Sequence, residues 1–318
     1  MERRLDVKPD LLLIEPMTPD VETKLDAAYQ VHRLFEASDP ATFVRQIGKR
    51  VRAIVSGGRT GAGNALVDAL PALEIIAING IGTDAVDLAH ARARSVRVTT
   101  TPDVLTDDVA DMAWALLLAT ARRICTNDRF VRAGHWIGGH PPLGTKVTSK
   151  ALGIVGLGRV GQAIAHRAAG FDMSISYSNP HPVPGVGYRY APSLEDLARE
   201  SDFLIVAASG GPQTRGIINR SVLEALGPTG ILINVARGSV IDEPALVAAL
   251  AEGRLGGAGL DVFAHEPEVS QTLWTMDNVV LQPHQASATV ETRHAMADLV
   301  LGNLAAHFAG KEPLTPVV

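Results

Sequence analysis

The chain has 318 residues, of which 46% are apolar, 20% charged and 4% aromatic, a composition that excludes disordered and fibrous chains. At roughly 100–200 residues per domain, the length predicts two domains, each large enough to bury its own core. The formal charge of −5, from 29 basic and 34 acidic residues, is mild and evenly spread, which argues against nucleic acid as a partner.

The opening MERRLDVKPD carries charge but no apolar stretch before a cleavage site, so the expectation is a cytoplasmic chain without a secretory signal. Short apolar runs follow, LLLIE (11–15), RAIVSGG (52–58), EIIAING (74–80) and VRVTT (96–100), alternating with helix-patterned stretches from about Pro19 onward. That alternation predicts a parallel sheet with crossover helices. The strand ends carry Ser56, Gly57 and Gly58, then Asn79, Gly80 and Gly82, so free backbone N–H groups should line this edge, with Gly57 a candidate substrate contact.

Thr106, Asp107 and Asp108 open a helix with Val109, Met112, Leu116 and Leu117 at helical spacing and Arg122 and Arg123 at its end, as capping and dipole arguments require. Its apolar run, 112–121, is about half the roughly 20 residues that span a bilayer, so it reads as a buried helix and no membrane is expected as partner. Cys125, the single cysteine, excludes an internal disulfide and is expected to pack inside a helix.

Residues 141–150 are loop-like. A second alternating series starts at Ala151 with LGIVGLG and runs through MSISYS (173–178), FLIVAAS (203–209), GILINVA (230–236), GAGLDVF (257–263) and NVVLQPH (278–284), predicting a doubly wound sheet. After Ala288 an amphipathic helix is expected, with Val290, Met296, Leu299, Val300 and Leu304 on its apolar side.

Gly156, Gly158 and Gly161 form G-x-G-x-x-G between the strand ALGIV and the helix RVGQAIAHRAAG. In that setting the glycines allow a tight turn and a close backbone approach to a pyrophosphate at the helix N-terminus, so a dinucleotide is the expected ligand. An acid about 20 residues later usually holds the ribose 2′-hydroxyl of NAD. Here Ser178 and Asn179 stand in that place, and no acid occurs between Met173 and Leu194. Nothing would repel a 2′-phosphate, so NADP(H) is the preferred cofactor and NAD(H) the alternative; no arginine follows Asn179, and Arg159 is the nearby positive charge.

Arg237 after LINVA, Glu266 after GLDVFAH and His284 after VVLQP sit beyond strand carboxyl ends, where doubly wound sheets place ligands. Such a set suits hydride transfer: the arginine pairs with a substrate carboxylate and polarises the ketone, the histidine gives or takes the proton, and the carboxylate orients the imidazole and favours its charged form. No spacing suggests a metal site, and His135, His140 and His181 read as surface or loop residues.

The segments GLGRVG, INVARGSVID, GAGLDVFAHEP and VVLQPH, in this order, resemble the D-isomer-specific 2-hydroxyacid dehydrogenases, and TPDVLTDDVAD (101–111) with the final helix resembles their glyoxylate and hydroxypyruvate reductases. The resemblance implies His284 as acid/base, Glu266 as its partner, Arg237 as substrate anchor, and backbone at Ile81 and Gly82 holding the substrate carboxylate. For the cofactor it implies Gly158, Arg159 and Val160 at the pyrophosphate, Ser178 and Asn179 at the ribose, Ser209 and Val235 along the groove, Asp261 at the carboxamide and Thr106 near the nicotinamide. Trp136 would cap the neighbouring subunit's pocket in a homodimer formed around residues 99–150.

It also implies an α/β fold of two doubly wound parallel-sheet domains: a Rossmann cofactor domain (99–287) inserted in a flavodoxin-like substrate domain (1–98 and 288–318). The expected activity is NADPH-preferring reduction of small 2-keto acids. The alternatives are another 2-hydroxyacid substrate, or a dinucleotide-sensing protein like the related corepressors. One departure stands out. The family often has glycine two residues after the histidine, whereas Ala286 occupies that place here and would be strained in any role needing positive φ.

Overall fold

A computed structural model describes residues 8–318; the targeting expectation for the amino terminus falls largely outside them. The chain divides into two compact units, one running to Leu105 and resuming at Thr289, the other spanning Thr106–Ala288.

The first unit contains β1 (Asp10–Leu13), β2 (Gln30–Arg33), β3 (Val51–Gly57), β4 (Ile75–Asn79) and β5 (Arg97–Thr99), all parallel, in the order β2-β1-β3-β4-β5. Their apolar runs are continuous because both faces are covered. Leu12, Ile54, Ile76 and Ile78 face one core, while Leu11, Leu13, Val55, Ile75 and Ala77 face another. The final helix, Val290–Phe308, covers the second face with Ala297, Val300 and Leu304. Val290, expected on its apolar side, is exposed instead, because it is the first residue of the helix and lies beyond the covered stripe. The last residues return to the sheet: the Val317 N–H donates to the Val98 carbonyl at 2.7 Å, and Pro316 pairs with Thr99, so the free side of β5 is closed.

The second unit holds β6 (Ala151–Val155), β7 (Ser174–Ser178), β8 (Arg189–Tyr190), β9 (Phe203–Val206), β10 (Ile231–Asn234), β11 (Gly257–Leu260) and β12 (Val279–Leu281), parallel and ordered β12-β11-β10-β9-β6-β7-β8. The strand order reverses between β6 and β9, the arrangement that carries dinucleotides. β2 and β8 escape a reading of apolar runs because both are short edge strands with polar residues.

The helix Thr106–Ala121 begins at the expected Thr106 and packs on β10, β11 and β12 with Ala113, Trp114, Leu116 and Leu117 buried. Two of its acids also tie it to the helix after the glycine turn, since Arg167 donates to Asp107 at 3.0 Å and Asp111 at 2.6 Å. Arg123 takes a left-handed conformation, φ 56°, and a new helix runs Ile124–Arg132. No residue of that helix is buried, so Cys125 is exposed and the packing role expected for it is not met.

Trp114 stacks on Phe171, ring centroids 4.5 Å apart, and donates its indole N–H to the Ile164 carbonyl at 3.1 Å. Trp114→Ala should destabilise this unit by about 3–5 kcal/mol, the range for emptying an aromatic core position, read as a lower midpoint in urea unfolding.

Candidate active site

β6 ends at Val155 and the chain turns through the three glycines into the helix Arg159–Ala168. Gly156 has φ +93°, and a Cβ on it would strike the backbone of Ala208 on the neighbouring segment. A Cβ on Gly161 would overlap the Gly156 carbonyl oxygen, so the first helical turn could not close on the strand. Gly158 has open space in front of it. The turn therefore leaves the helix N-terminus and its N–H groups open to an anion, as a pyrophosphate requires. Arg159 and Val160 are the first two residues of that helix.

The same turn is tied to the next strand. The Gly156 N–H donates to the Ser178 carbonyl at 2.9 Å, and the Leu157 N–H donates to the Asn179 side-chain oxygen at 2.7 Å. Asn179 is held in turn by the Tyr190 hydroxyl, which donates to its carbonyl at 3.1 Å, and the Tyr177 hydroxyl accepts from the Val183 N–H at 2.9 Å. Ser178 is buried. The first acid in this segment, Asp172, precedes β7, at the opposite end from Ser178 and Asn179. These groups fit a dinucleotide, and they fit one bearing a 2′-phosphate. Across the sheet, Ser209 begins the loop 209–214 that lines a pocket, and Val235 is buried just after β10.

His284 follows β12. Its Nδ1 lies 2.7 Å from Glu266 Oε2, and the other Glu266 oxygen accepts from the Phe263 N–H at 3.0 Å. The Glu266 side chain is 10% exposed and that of His284 33%, so the carboxylate is fixed while the ring keeps an open side. Nε2 is then the nitrogen available for proton exchange with a ligand.

What places the imidazole is its backbone: His284 has φ +57°, in the left-handed region. Two things hold it there. Its N–H donates to the Asp261 carbonyl at 2.8 Å, and the Asp261 side chain accepts from the Gln285 N–H at 2.7 Å and the Ala286 N–H at 3.0 Å. Asp261 is 1% exposed, and burial raises its carboxyl above the usual value against the pull of those two N–H groups and of His284. The positive φ thus falls on the histidine, and Ala286 serves through its N–H without it.

Arg237 lies just beyond β10, where Asn234 shapes the turn by donating to the Arg237 carbonyl at 3.0 Å and accepting from the Ala236 N–H at 3.0 Å. A Cβ on Gly238 would overlap the Phe263 carbonyl, so the arginine turn lies directly against the segment that leads to Glu266. Arg237, Glu266, His284 and Asp261 are thereby gathered at one edge of the second sheet. Thr106 opens its helix in the same unit. In the first unit, Gly57 ends β3 and is buried, Ile81 is 45% exposed and Gly82 half-buried in the loop after β4, and the two loops pack through Gly58 and Gly82. Trp136 is 62% exposed.

Sequence reading alone did not show the support from Asp261 or the link from Asn179 to the glycine turn. The signal for both was a short polar residue at a strand end.

Comparison with known proteins identifies the family of the chain. A profile of the D-isomer specific 2-hydroxyacid dehydrogenase NAD binding domain matches residues 114–286. The chain is 51% identical over 308 residues to a hydroxyphenylpyruvate reductase of Plectranthus scutellarioides, covering 97% of this chain and 98% of the relative. It is 47% identical to a 2-ketogluconate reductase of Gluconobacter oxydans, covering 98% and 99%. Among solved structures, an NADPH-dependent glyoxylate/hydroxypyruvate reductase from Sinorhizobium meliloti in complex with NADP and malonate superposes with a TM-score of 0.92 at 44% identity, covering 98% of this chain and 97% of that one. The profile over 114–286 agrees with relatives and fold that match nearly the full length: the chain is a member of the D-isomer-specific 2-hydroxyacid dehydrogenase family.

Proposed function

We propose that the protein reduces small 2-keto acids, glyoxylate and hydroxypyruvate foremost, to 2-hydroxy acids with NADPH. The observation that carries this reading is the 2.7 Å His284–Glu266 pair on the sheet whose glycine turn fits a dinucleotide. The bound nicotinamide supplies the hydride. Protonated His284 gives its Nε2 proton to the keto oxygen as that oxygen gains charge, and Glu266 offsets the charge on the ring until the proton leaves. Arg237 binds the substrate carboxylate and draws electrons from the ketone. In the first unit, Gly57 and the backbone at Ile81 and Gly82 are the proposed substrate contacts. His284→Ala should lower turnover by about 10²-fold or more, the scale of a lost general acid, while NADPH binding, read by its fluorescence, persists.

NADPH preference follows from the neutral end of β7. The Sinorhizobium relative, solved with NADP, supports it. Asn179→Asp would still accept from the Leu157 N–H but would place a negative charge at the ribose. The dissociation constant for NADPH should rise relative to that for NADH by about tenfold or more, which corresponds to about 1.4 kcal/mol.

The protein forms a homodimer in this proposal. Ile124, Val131, Trp136, Ile137 and Leu143 are all exposed within one segment, a density of apolar surface that marks an interaction face. Light scattering should give twice the mass of the 33.6 kDa chain, and a monomer would refute the dimer.

A further inference from the structure

The first sheet reverses direction between β1 and β3: the chain steps outward from β1 to β2 and resumes on the other side with β3. In open α/β sheets such a reversal leaves a crevice outside the carboxyl ends of the two strands, where ligands bind. Glu15 follows β1 at that point and Gly57 ends β3. Strand alternation puts Glu15, Gly57 and Asn79 in one row, on the face that carries Leu13, Val55 and Ala77. The final helix covers this face through Ala297, Val300 and Leu304, and Arg293, one turn before Ala297, continues the same stripe over the row.

The polar groups gathered there are incompletely bonded. The Glu15 carboxylate lies over Gly57, where a Cβ would overlap it, and accepts from the Thr60 hydroxyl. Asn79 Oδ1 is buried and has no hydrogen-bond partner among the described residues. Arg293 is half-buried, and no hydrogen bond of its side chain exists among the described residues. Burial pulls its guanidinium below the ordinary value, and the Glu15 carboxylate acts in the opposite direction. A buried acceptor without a donor is unfavourable, and a half-buried cation gains from an added acceptor, so one ligand group that both donates and accepts serves Asn79 Oδ1 and Arg293 together.

The charges select that group. A hydroxyl accepts from Arg293 while donating to Glu15 or Asn79 Oδ1. A second carboxylate could only accept and would lie against Glu15, and an apolar tail would leave Asn79 Oδ1 unsatisfied. We propose that Glu15, Thr60, Asn79 and Arg293, gathered around Gly57 at the β1/β3 crevice, form a subsite for a hydroxyl group on the substrate's tail, so that hydroxylated 2-keto acids are selected over the tailless one. The proposal rests on the reductase reading, which assigns Gly57 to the substrate.

The test is kcat/KM for hydroxypyruvate, glyoxylate and ketomalonate, whose tail is a second carboxylate, in wild type, Arg293→Met, Arg293→Lys and Glu15→Gln. A hydrogen bond to a charged group predicts that the hydroxypyruvate-to-glyoxylate ratio falls roughly tenfold or more in Arg293→Met and returns largely in Arg293→Lys. In Glu15→Gln, ketomalonate should gain on hydroxypyruvate. A ratio equal to that of wild type, or both substrates declining in proportion, overturns the subsite and leaves Arg293 a packing residue. Should Arg293→Met fail to fold, the other two variants decide by the same ratios. A binding measurement separates the two readings: D-glycerate should raise the Tm of wild type more than glycolate does, and Glu15→Gln should narrow that gap. If no 2-keto acid is reduced but the gap is present, the reductase reading fails and the subsite stands. If reduction occurs and the gap is absent, the subsite alone fails.

Discussion

The Asp261 carboxylate is buried so that it can hold three consecutive residues. Its oxygens take the N–H groups of Gln285 and Ala286 while its own carbonyl takes that of His284. A histidine does not enter the left-handed region unaided; for a non-glycine residue that conformation costs of order 1–3 kcal/mol and persists only where the surroundings over-determine it. Here they do. The three bonds fix the backbone, the backbone aims the ring, and Glu266 can then lie 2.7 Å from Nδ1. Loosening any of these would leave the same residues present and the His284–Glu266 geometry lost.

Close backbone approaches play the complementary part. At Gly161 the helix meets the turn, and at Gly238 the arginine turn meets the strand-end segment, each at a distance no side chain permits. These contacts make the edge of the second sheet stiff before any ligand arrives. A preorganised set of donors and acceptors is what charge development in a transition state requires.

Much of this was legible in the sequence. Parallel strands buried on both faces read as unbroken apolar runs, so β1, β3, β4, β6, β9 and β10 stand out, and the polar residues just beyond them mark the edge where ligands bind. The polar edge strands β2 and β8 carry no such run. Likewise, Arg237, Glu266 and His284 could be placed at strand ends, but the positive φ of His284 depends on the path of the chain after β12, which is set by a carboxylate 23 residues earlier in the sequence. The exposure of Cys125 follows from a break at Arg123 that starts a new helix with no buried residue, and no residue pattern announces it. The row of Glu15, Gly57 and Asn79 is a property of strand register and becomes visible only when three strands lie side by side.

The helix that covers one face of the first sheet, and the tail that closes β5, are encoded after the whole of the second unit. During synthesis the strands of the first unit leave the ribosome early, yet the face bearing Leu11, Leu13, Val55 and Ala77 is covered only by Val21 and Leu25 of the helix Pro19–Ala28 until Val290–Phe308 emerges. The intervening 106–288 take about 10–40 s at cellular elongation rates of about 5–20 residues per second. The second unit, continuous in sequence, is free to fold in that interval, while the first presents a partly covered apolar sheet with an open edge. The nascent chain is therefore most exposed to aggregation, and most in need of chaperone cover, in the portion made first and finished last.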